Sequence, residues 1–251
     1  MAAINFIGGE KGGVGKSVVS RLLAQYHIDR HLPFIGYDTD RSHGSLLRFY
    51  GDFAAPTVID DYASLDQIVA AIGERPDRHV VVDLAAQTFP PLTRWIADSG
   101  VIEVLSDMQT PVRYWHVMDD SVDSVDMLTR LVATFGPSVS YVVVLNQGRG
   151  SGFTGFTASQ ARKDALANHA AIIQLRALHD GTMSKIDRGN TNFWAAASGQ
   201  GAPGHALGIL ERHRVRLWLQ KTYEDFDRII APSAVPAPIP FQLPGSAAAS
   251  G

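Results

Sequence analysis

Apolar positions along the chain fall into short, dense blocks separated by longer mixed stretches. Residues 3–8, 34–38, 56–59, 79–83, 101–105, 139–146 and 171–175 are such blocks, several rich in β-branched side chains, and each predicts a buried strand. Between them the apolar residues recur every three or four positions. That spacing predicts helices over about 15–30, 64–73, 90–98, 113–134, 158–168 and 205–230. In the first, Val18, Leu22, Leu23, Tyr26 and His27 share a face; in the last, Val215, Leu219, Tyr223, Phe226 and Ile230 form the stripe that faces a core. Strands that alternate with helices imply an α/β fold: a single doubly wound, mostly parallel sheet with helices on both faces. One domain over 1–230 accommodates it. Residues 231–251 hold five prolines and no charged side chain, and read as a flexible Pro/Ala-rich tail.

The first strand runs directly into Lys11-Gly12-Gly13-Val14-Gly15-Lys16-Ser17, and a helix follows. Glycines at such a turn let backbone N–H groups point at phosphate oxygens, and the helix adds its positive N-terminal end. Gly12, Gly13, Val14, Gly15 and Val18 would cradle the nucleotide, Lys16 would reach its outer phosphates, and the Ser17 hydroxyl would bind Mg²⁺. The ordinary phosphate-loop pattern places a glycine six residues before its lysine. Glu10 stands there instead, and a second lysine, Lys11, sits early in the loop.

Three further strand ends carry polar groups. The 34–38 strand ends in Asp38-Thr39-Asp40, two carboxylates two residues apart and so on one side of the strand. In a parallel sheet, strand C-termini gather at the ligand crevice. The 79–83 strand ends in Asp83, which reads as a metal-associated carboxylate or as a turn residue. The 139–146 strand ends in Asn146, whose carboxamide suits an adenine edge as well as an ordinary turn. Gly148 to Gly155, with Arg149 and Ser151, reads as a surface loop, or as a lid or partner contact, beside it.

These residues together resemble the deviant Walker A ATPases of the ParA/MinD family, a group of SIMIBI-type P-loop proteins. The resemblance implies ATP and Mg²⁺ as cofactors and an ATP-closed homodimer in which Lys11 reaches the partner subunit's phosphates. It also implies that Asp40 orients the attacking water and that Asp38 supports the metal shell and the switch loop. Arg41 stands where the family usually has proline. Leu-Ala-Gln-Tyr-His-Ile-Asp after the loop, Asp-Thr-Asp, and Phe89-Pro-Pro-Leu after Asp83 are similar to a TraL-like group of plasmid mobilisation and conjugation proteins.

Composition narrows the reading. The chain has 251 residues, 45% of them hydrophobic, a formal net charge of −3 and no cysteine. The missing thiols exclude disulfides and the iron–sulfur reductases among relatives of this loop. No run approaches a membrane span, no signal peptide is evident, and no basic amphipathic tail helix is present, so a cytoplasmic protein is expected. Asp119, Asp120, Asp123 and Asp126 are expected on a solvated helix face. Arg212, Arg216 and Lys221 read as ordinary solvated charges or, in an ATP dimer, as a nonspecific DNA surface. The expectation is thus an ATPase switch that positions or recruits a cargo such as plasmid DNA or a transfer complex, through a protein partner or adaptor. An ATP-dependent ligase or small-molecule kinase and an inactive nucleotide-binding scaffold are the alternatives.

Overall fold

A computed structural model of the chain describes residues 2–9, 11–40, 44–202 and 204–230. Its strands are β1 (Ile4–Gly8), β2 (Phe34–Asp38), β3 (Ala54–Pro56), β4 (His79–Asp83), β5 (Val112–Met118), β6 (Ser140–Asn146) and β7 (Ala171–Leu175). They form one sheet in the order β3-β2-β4-β1-β5-β6-β7, every pair parallel. The helices are α1 (Lys16–Asp29), α2 (Ser45–Tyr50), α3 (Tyr62–Glu74), α4 (Phe89–Asp98), α5 (Val101–Asp107), α6 (Val122–Phe135), α7 (Thr154–Ala158), α8 (Gln160–Ala167), α9 (Asp180–Arg188), α10 (Phe193–Ser198) and α11 (Ile209–Ile230).

Side chains alternate across the pleat and feed two cores. Val80 and Val82 of β4, with Tyr141, Val143 and Leu145 of β6, pack under α3 to α6 beside Leu65, Trp95, Leu105 and Leu128. Val81, Val142 and Val144 pack on the other face with Leu22 of α1, Phe49 of α2 and Phe226 of α11. Central strands buried on both faces must be apolar throughout, which is why they read as unbroken runs. One polar device crosses them: the Trp115 indole donates to Asn5 Oδ1 at 3.0 Å, and Asn5 Nδ2 donates to the Val80 carbonyl at 3.2 Å. It ties β5, β1 and β4 together.

Two expectations fail in the same region. Val101-Ile-Glu-Val-Leu105 is helix α5, not a strand: Gly100 starts it at φ 58°, and Val101 and Leu105, one turn apart, are its buried pair. The stretch expected as one helix over 113–134 is a strand followed by a helix. Val112–Met118 is fully inside the sheet, and α6 begins only at Val122, capped by the Ser121 hydroxyl. Short apolar runs do not distinguish the two periods, so neighbours decided them. The strand expected at 56–59 lies at Ala54–Pro56, and the last helix starts at Ile209 rather than 205. Among the described residues no helix is long and apolar enough to cross a membrane. The tail read at 231–251, and Arg41, lie outside the described residues.

Three histidines are sealed in the cores. His27 of α1 and His79 of β4 lie ring to ring at 4.7 Å, and His116 of β5 bonds the Ser124 carbonyl through Nε2 at 2.9 Å. Burial lowers all three, His27 and His116 to about 4 and His79 to about 3. The unfolded chain therefore binds more protons than the folded chain below the ordinary histidine value of about 6.5. Their stabilising effect is complete above that value and is lost as pH falls from 6.5 towards 4, at about 2 kcal/mol per histidine by pH 5. Asp83, raised to about 7, and Asp38, also raised by burial, act in the opposite direction over the same range, two carboxyls against three histidines. Urea unfolding should accordingly give a markedly lower free energy at pH 5 than at pH 7, with a shallower dependence in His79→Leu. Equal stability at the two pH values would refute the account.

Candidate functional site

The loop between β1 and α1 wraps back over its own lysine. Lys16 is buried, and its Nζ donates to the Gly9 carbonyl at 2.7 Å and the Lys11 carbonyl at 3.0 Å. Gly15 precedes α1 with φ 103°, and its carbonyl accepts from the N–H groups of Val18 and Val19. This position has room only for glycine: a Cβ there would lie 2.2 Å from Asn146 Nδ2. That nitrogen donates to the Val14 carbonyl at 2.7 Å, while Asn146 Oδ1 accepts from the Gly148 N–H at 3.0 Å. Asn146, expected to be a base contact or a turn residue, braces the phosphate loop against the end of β6.

The sheet register brings the aspartates to this loop. Asp38 and Asp83 are paired positions of β2 and β4. Asp38 Oδ1 accepts from the Asp40 N–H at 3.0 Å, and Oδ2 from the N–H groups of Leu46 and Leu47 at 2.8 and 3.2 Å. Asp38 thus shapes the turn that carries Asp40 and caps the start of α2. Thr39 fastens the same turn to β4: its N–H and hydroxyl donate to the Asp83 carbonyl, and its hydroxyl accepts from the Ala85 N–H at 2.8 Å.

Asp83 is 3% exposed, and its Oδ1 has no hydrogen-bond partner. Burial and the Asp38 charge push its carboxyl up to about 7, against the hydroxyls of Ser20 and Ser17 and the charge of Lys16. An orphaned buried carboxylate oxygen beside the Ser17 hydroxyl fits a hard divalent cation, which would restore the ionised form. No group of three or more His, Asp or Glu side chains able to hold a metal occurs among the described residues. Ser17 and Asp83 are the residues that would hold a hard cation here, with waters completing its shell.

Two clefts open over this arrangement. One, of about 380 Å³, is lined by Gly13, Lys16, Ser17, Asp40 and Asp83 among others. The second, of about 420 Å³, is lined by Asn146, Leu175, Ala177 and Met183 among others. Val18, Arg149 and Asp187 line both, so they form one groove from the phosphate loop to the ends of β6 and β7. The wall of the phosphate cleft also holds Arg21, whose buried guanidinium lies 3.6 Å from the Phe49 ring centre and pairs with Asp187 at 2.8 Å. Sequence reasoning missed Arg21, one helical turn beyond Ser17 on the same face of α1.

Lys11 projects to the other side of the loop and pairs with Asp119 at 3.0 Å. Asp119 Oδ1 also accepts from the Ser121 N–H and hydroxyl and the Ser124 hydroxyl. Partial burial opposes it, but these bonds and Lys11 hold the Asp119 carboxyl well below the usual carboxylate range. The adjacent Asp120 accepts from the N–H groups of Ser151 and Gly152. Neither acid is on a solvated helix face. Both follow the end of β5, on the crevice side, and a strand reading of residues 112–118 would have put them there.

The proposed basic face of α11 does not form. At about 100° per residue, Arg212 and Lys221 fall about 180° apart on the helix. Arg212 packs across Gly199, where a Cβ would lie 2.2 Å from its Nη1. Arg216 Nε bonds back to the Arg212 carbonyl, and Lys221 pairs with Glu224 at 3.2 Å. The three cations share no outward surface.

A parallel sheet with this loop after its first strand and carboxylates at the ends of β4 and β2 is the P-loop fold of the MinD type. It aligns with the MinD cell division protein of Aquifex aeolicus at a TM-score of 0.52 and 12% identity, covering 89% of this chain and 98% of that one. In sequence the chain is similar to two proteins from Escherichia coli, each named Protein TraL. One is 26% identical over 243 residues, covering 90% of this chain and 98% of the relative. The other is 27% identical over 199 residues, covering 74% and 81%. No family model matches. The SIMIBI resemblance holds for the fold, and the sequence relatives accord with the TraL-like suggestion.

The brace gives a test of the loop. Asn146→Asp should set a carboxylate against the Val14 carbonyl and weaken pyrophosphate and ADP alike, about tenfold, as the loss of one good hydrogen bond would. Calorimetry with both ligands measures it. Unchanged pyrophosphate binding with altered base preference would return Asn146 to base reading.

Proposed function

We propose that this chain is an ATP-dependent, dimerising molecular switch that hydrolyses ATP to ADP and phosphate in the cytoplasm and positions or recruits a macromolecular cargo, such as plasmid DNA or a transfer complex, through a protein partner. The observation that carries the reading is the convergence of Lys16, Ser17 and the unpaired Asp83 oxygen at one end of the groove, with Asp40 in the same wall.

In this reading the loop N–H groups and Lys16 hold the outer phosphates, and Lys16 exchanges the Gly9 and Lys11 carbonyls for phosphate oxygens. Ser17 and Asp83 would hold Mg²⁺, which would supply positive charge against the outer phosphates. Asp40, in the turn fixed by Asp38, orients the water for in-line attack. Lys11 leaves Asp119 and reaches the partner subunit's phosphates. Its departure strands no buried charge, because Asp119 keeps its bonds to Ser121 and Ser124, and Lys11 is 43% exposed. An exposed pair of this kind is worth little, so ATP can compete for the lysine.

Three variants separate these roles. Lys16→Ala should lose a charge-assisted contact of about 1.5–3 kcal/mol to ATP by calorimetry. Asp40→Ala should bind ATP, lose turnover and accumulate as dimer in sedimentation. Lys11→Ala should keep its ADP affinity and fail to dimerise with ATP. Normal ATP-driven dimerisation by Lys11→Ala would defeat the cross-subunit role. ADP release that depends on an added small molecule would favour the ligase or kinase reading instead.

A further inference from the structure

Arg149 stands where the two clefts meet and lines both. Its neighbours in the phosphate cleft are already engaged: Arg21 pairs with Asp187, and Arg48 donates to Asn190 Oδ1 and the Asp187 carbonyl. The Arg149 side chain is exposed, and among the described residues no carboxylate pairs with its guanidinium.

The backbone that presents it is fixed on two sides. The N–H groups of Arg149 and Gly150 donate to the Asn146 carbonyl at 2.9 and 3.1 Å, and Gly148 N–H donates to Asn146 Oδ1. Asn146 is the residue that also braces Val14 of the phosphate loop. Beyond Arg149, Asp120 Oδ2 accepts from Ser151 N–H at 3.0 Å and Gly152 N–H at 3.2 Å. The loop presses so closely on this carboxylate that a Cβ on Gly150 would lie 2.6 Å from Asp120 Cγ. The loop is at the surface, as one of its readings had it, and is tied to the phosphate loop at one end and to the turn after β5 at the other.

We propose that Arg149 is a nucleotide-binding residue that takes the phosphate chain as a second cation beside Lys16, and that Asp120 is its positioning residue. The proposal rests on the groove being the nucleotide site. A ligand running from the phosphate loop to the ends of β6 and β7 passes the wall that Arg149 occupies. A guanidinium meets phosphate oxygens with a two-pronged set of donors. A backbone anchored before binding spares the ordering cost that a mobile loop would incur.

The experiment is calorimetry with adenosine, ADP and ATP on wild type, Arg149→Gln, Arg149→Lys, Asp120→Ala, Asp120→Asn and Lys16→Ala. Arg149→Gln should weaken ADP and ATP about tenfold, leave adenosine unchanged and flatten the salt dependence of ADP binding. Arg149→Lys should recover part of the loss. Asp120→Ala should show a smaller loss of the same kind, and Asp120→Asn should restore binding, because an amide oxygen accepts the same two N–H groups. Unaltered ADP and ATP affinity in Arg149→Gln overturns the proposal, as does an equal loss for adenosine, which would mark a base or ribose contact. Wild-type affinity in Asp120→Ala, with Arg149→Gln weakened, overturns the role of Asp120. If Lys16→Ala also binds ADP normally, the groove itself is misassigned; a normal Lys16 effect with silent Arg149 variants rejects this inference alone.

Discussion

The groove depends on one hydrogen bond, from Asn146 Nδ2 to the Val14 carbonyl. A phosphate loop must hold its carbonyls away from an anion while turning its N–H groups towards it. A carbonyl left unpaired in a buried turn would cost about as much as a lost hydrogen bond. Asn146 supplies the donor from two strands away, since β1 and β6 are separated by β5 in the sheet. The bond sets the distance between the loop and the end of β6, and so the width at which the groove can form. It also explains Gly15, whose missing Cβ is the space the carboxamide occupies.

From that tie the remaining order spreads outward through short polar links at strand ends. Thr39 joins the Asp38–Asp40 turn to β4, Asp38 starts α2, Asp119 holds Lys11, and Asp120 holds the loop after β6. Each link lies at the C-terminal edge of the parallel sheet, where helices begin and backbone N–H groups are unsatisfied. The hydrophobic cores lie behind this edge and contribute rigidity, not chemistry.

What the sequence disclosed follows the same division. Strands β1, β2, β4 and β6 were legible because burial on both faces favours dense apolar runs, with the buried Asn5 of β1 an exception whose amide is hydrogen-bonded. The placement of Lys16 and Ser17 at the start of α1, and of Asp38, Asp40 and Asp83 at or just beyond strand ends, was legible because the glycine-rich turn marks where β1 gives way to α1. Residues 101–118 were not. Val101 to Leu105 satisfies both the strand and the helix pattern, and Arg113 and His116 interrupt the apolar run of β5. Once that strand was read as helix, Asp119 and Asp120 moved from the crevice to an imagined solvated face. The brace by Asn146 was hidden for another reason: it joins residues 132 positions apart, and only the sheet order places them in contact.

The electrostatics of the groove bear on how its proposed ligands enter. Asp38 and Asp83 are neighbours in register, both largely buried, and the strain of two like charges falls on Asp83, which has the orphaned oxygen. A triphosphate arriving alone would add negative charge beside a site already reluctant to ionise. A divalent cation arriving alone would find one carboxylate and a hydroxyl, too few oxygens to replace its waters. Together each would remove the other's penalty: phosphate oxygens would supply the cation's missing ligands, and its charge would favour the ionised form of Asp83 beside Asp38. In the proposed function the metal and the nucleotide would therefore enter as one complex. Lys16, held on the Gly9 and Lys11 carbonyls, is kept in place by the loop, and such a complex would offer it stronger, charged acceptors.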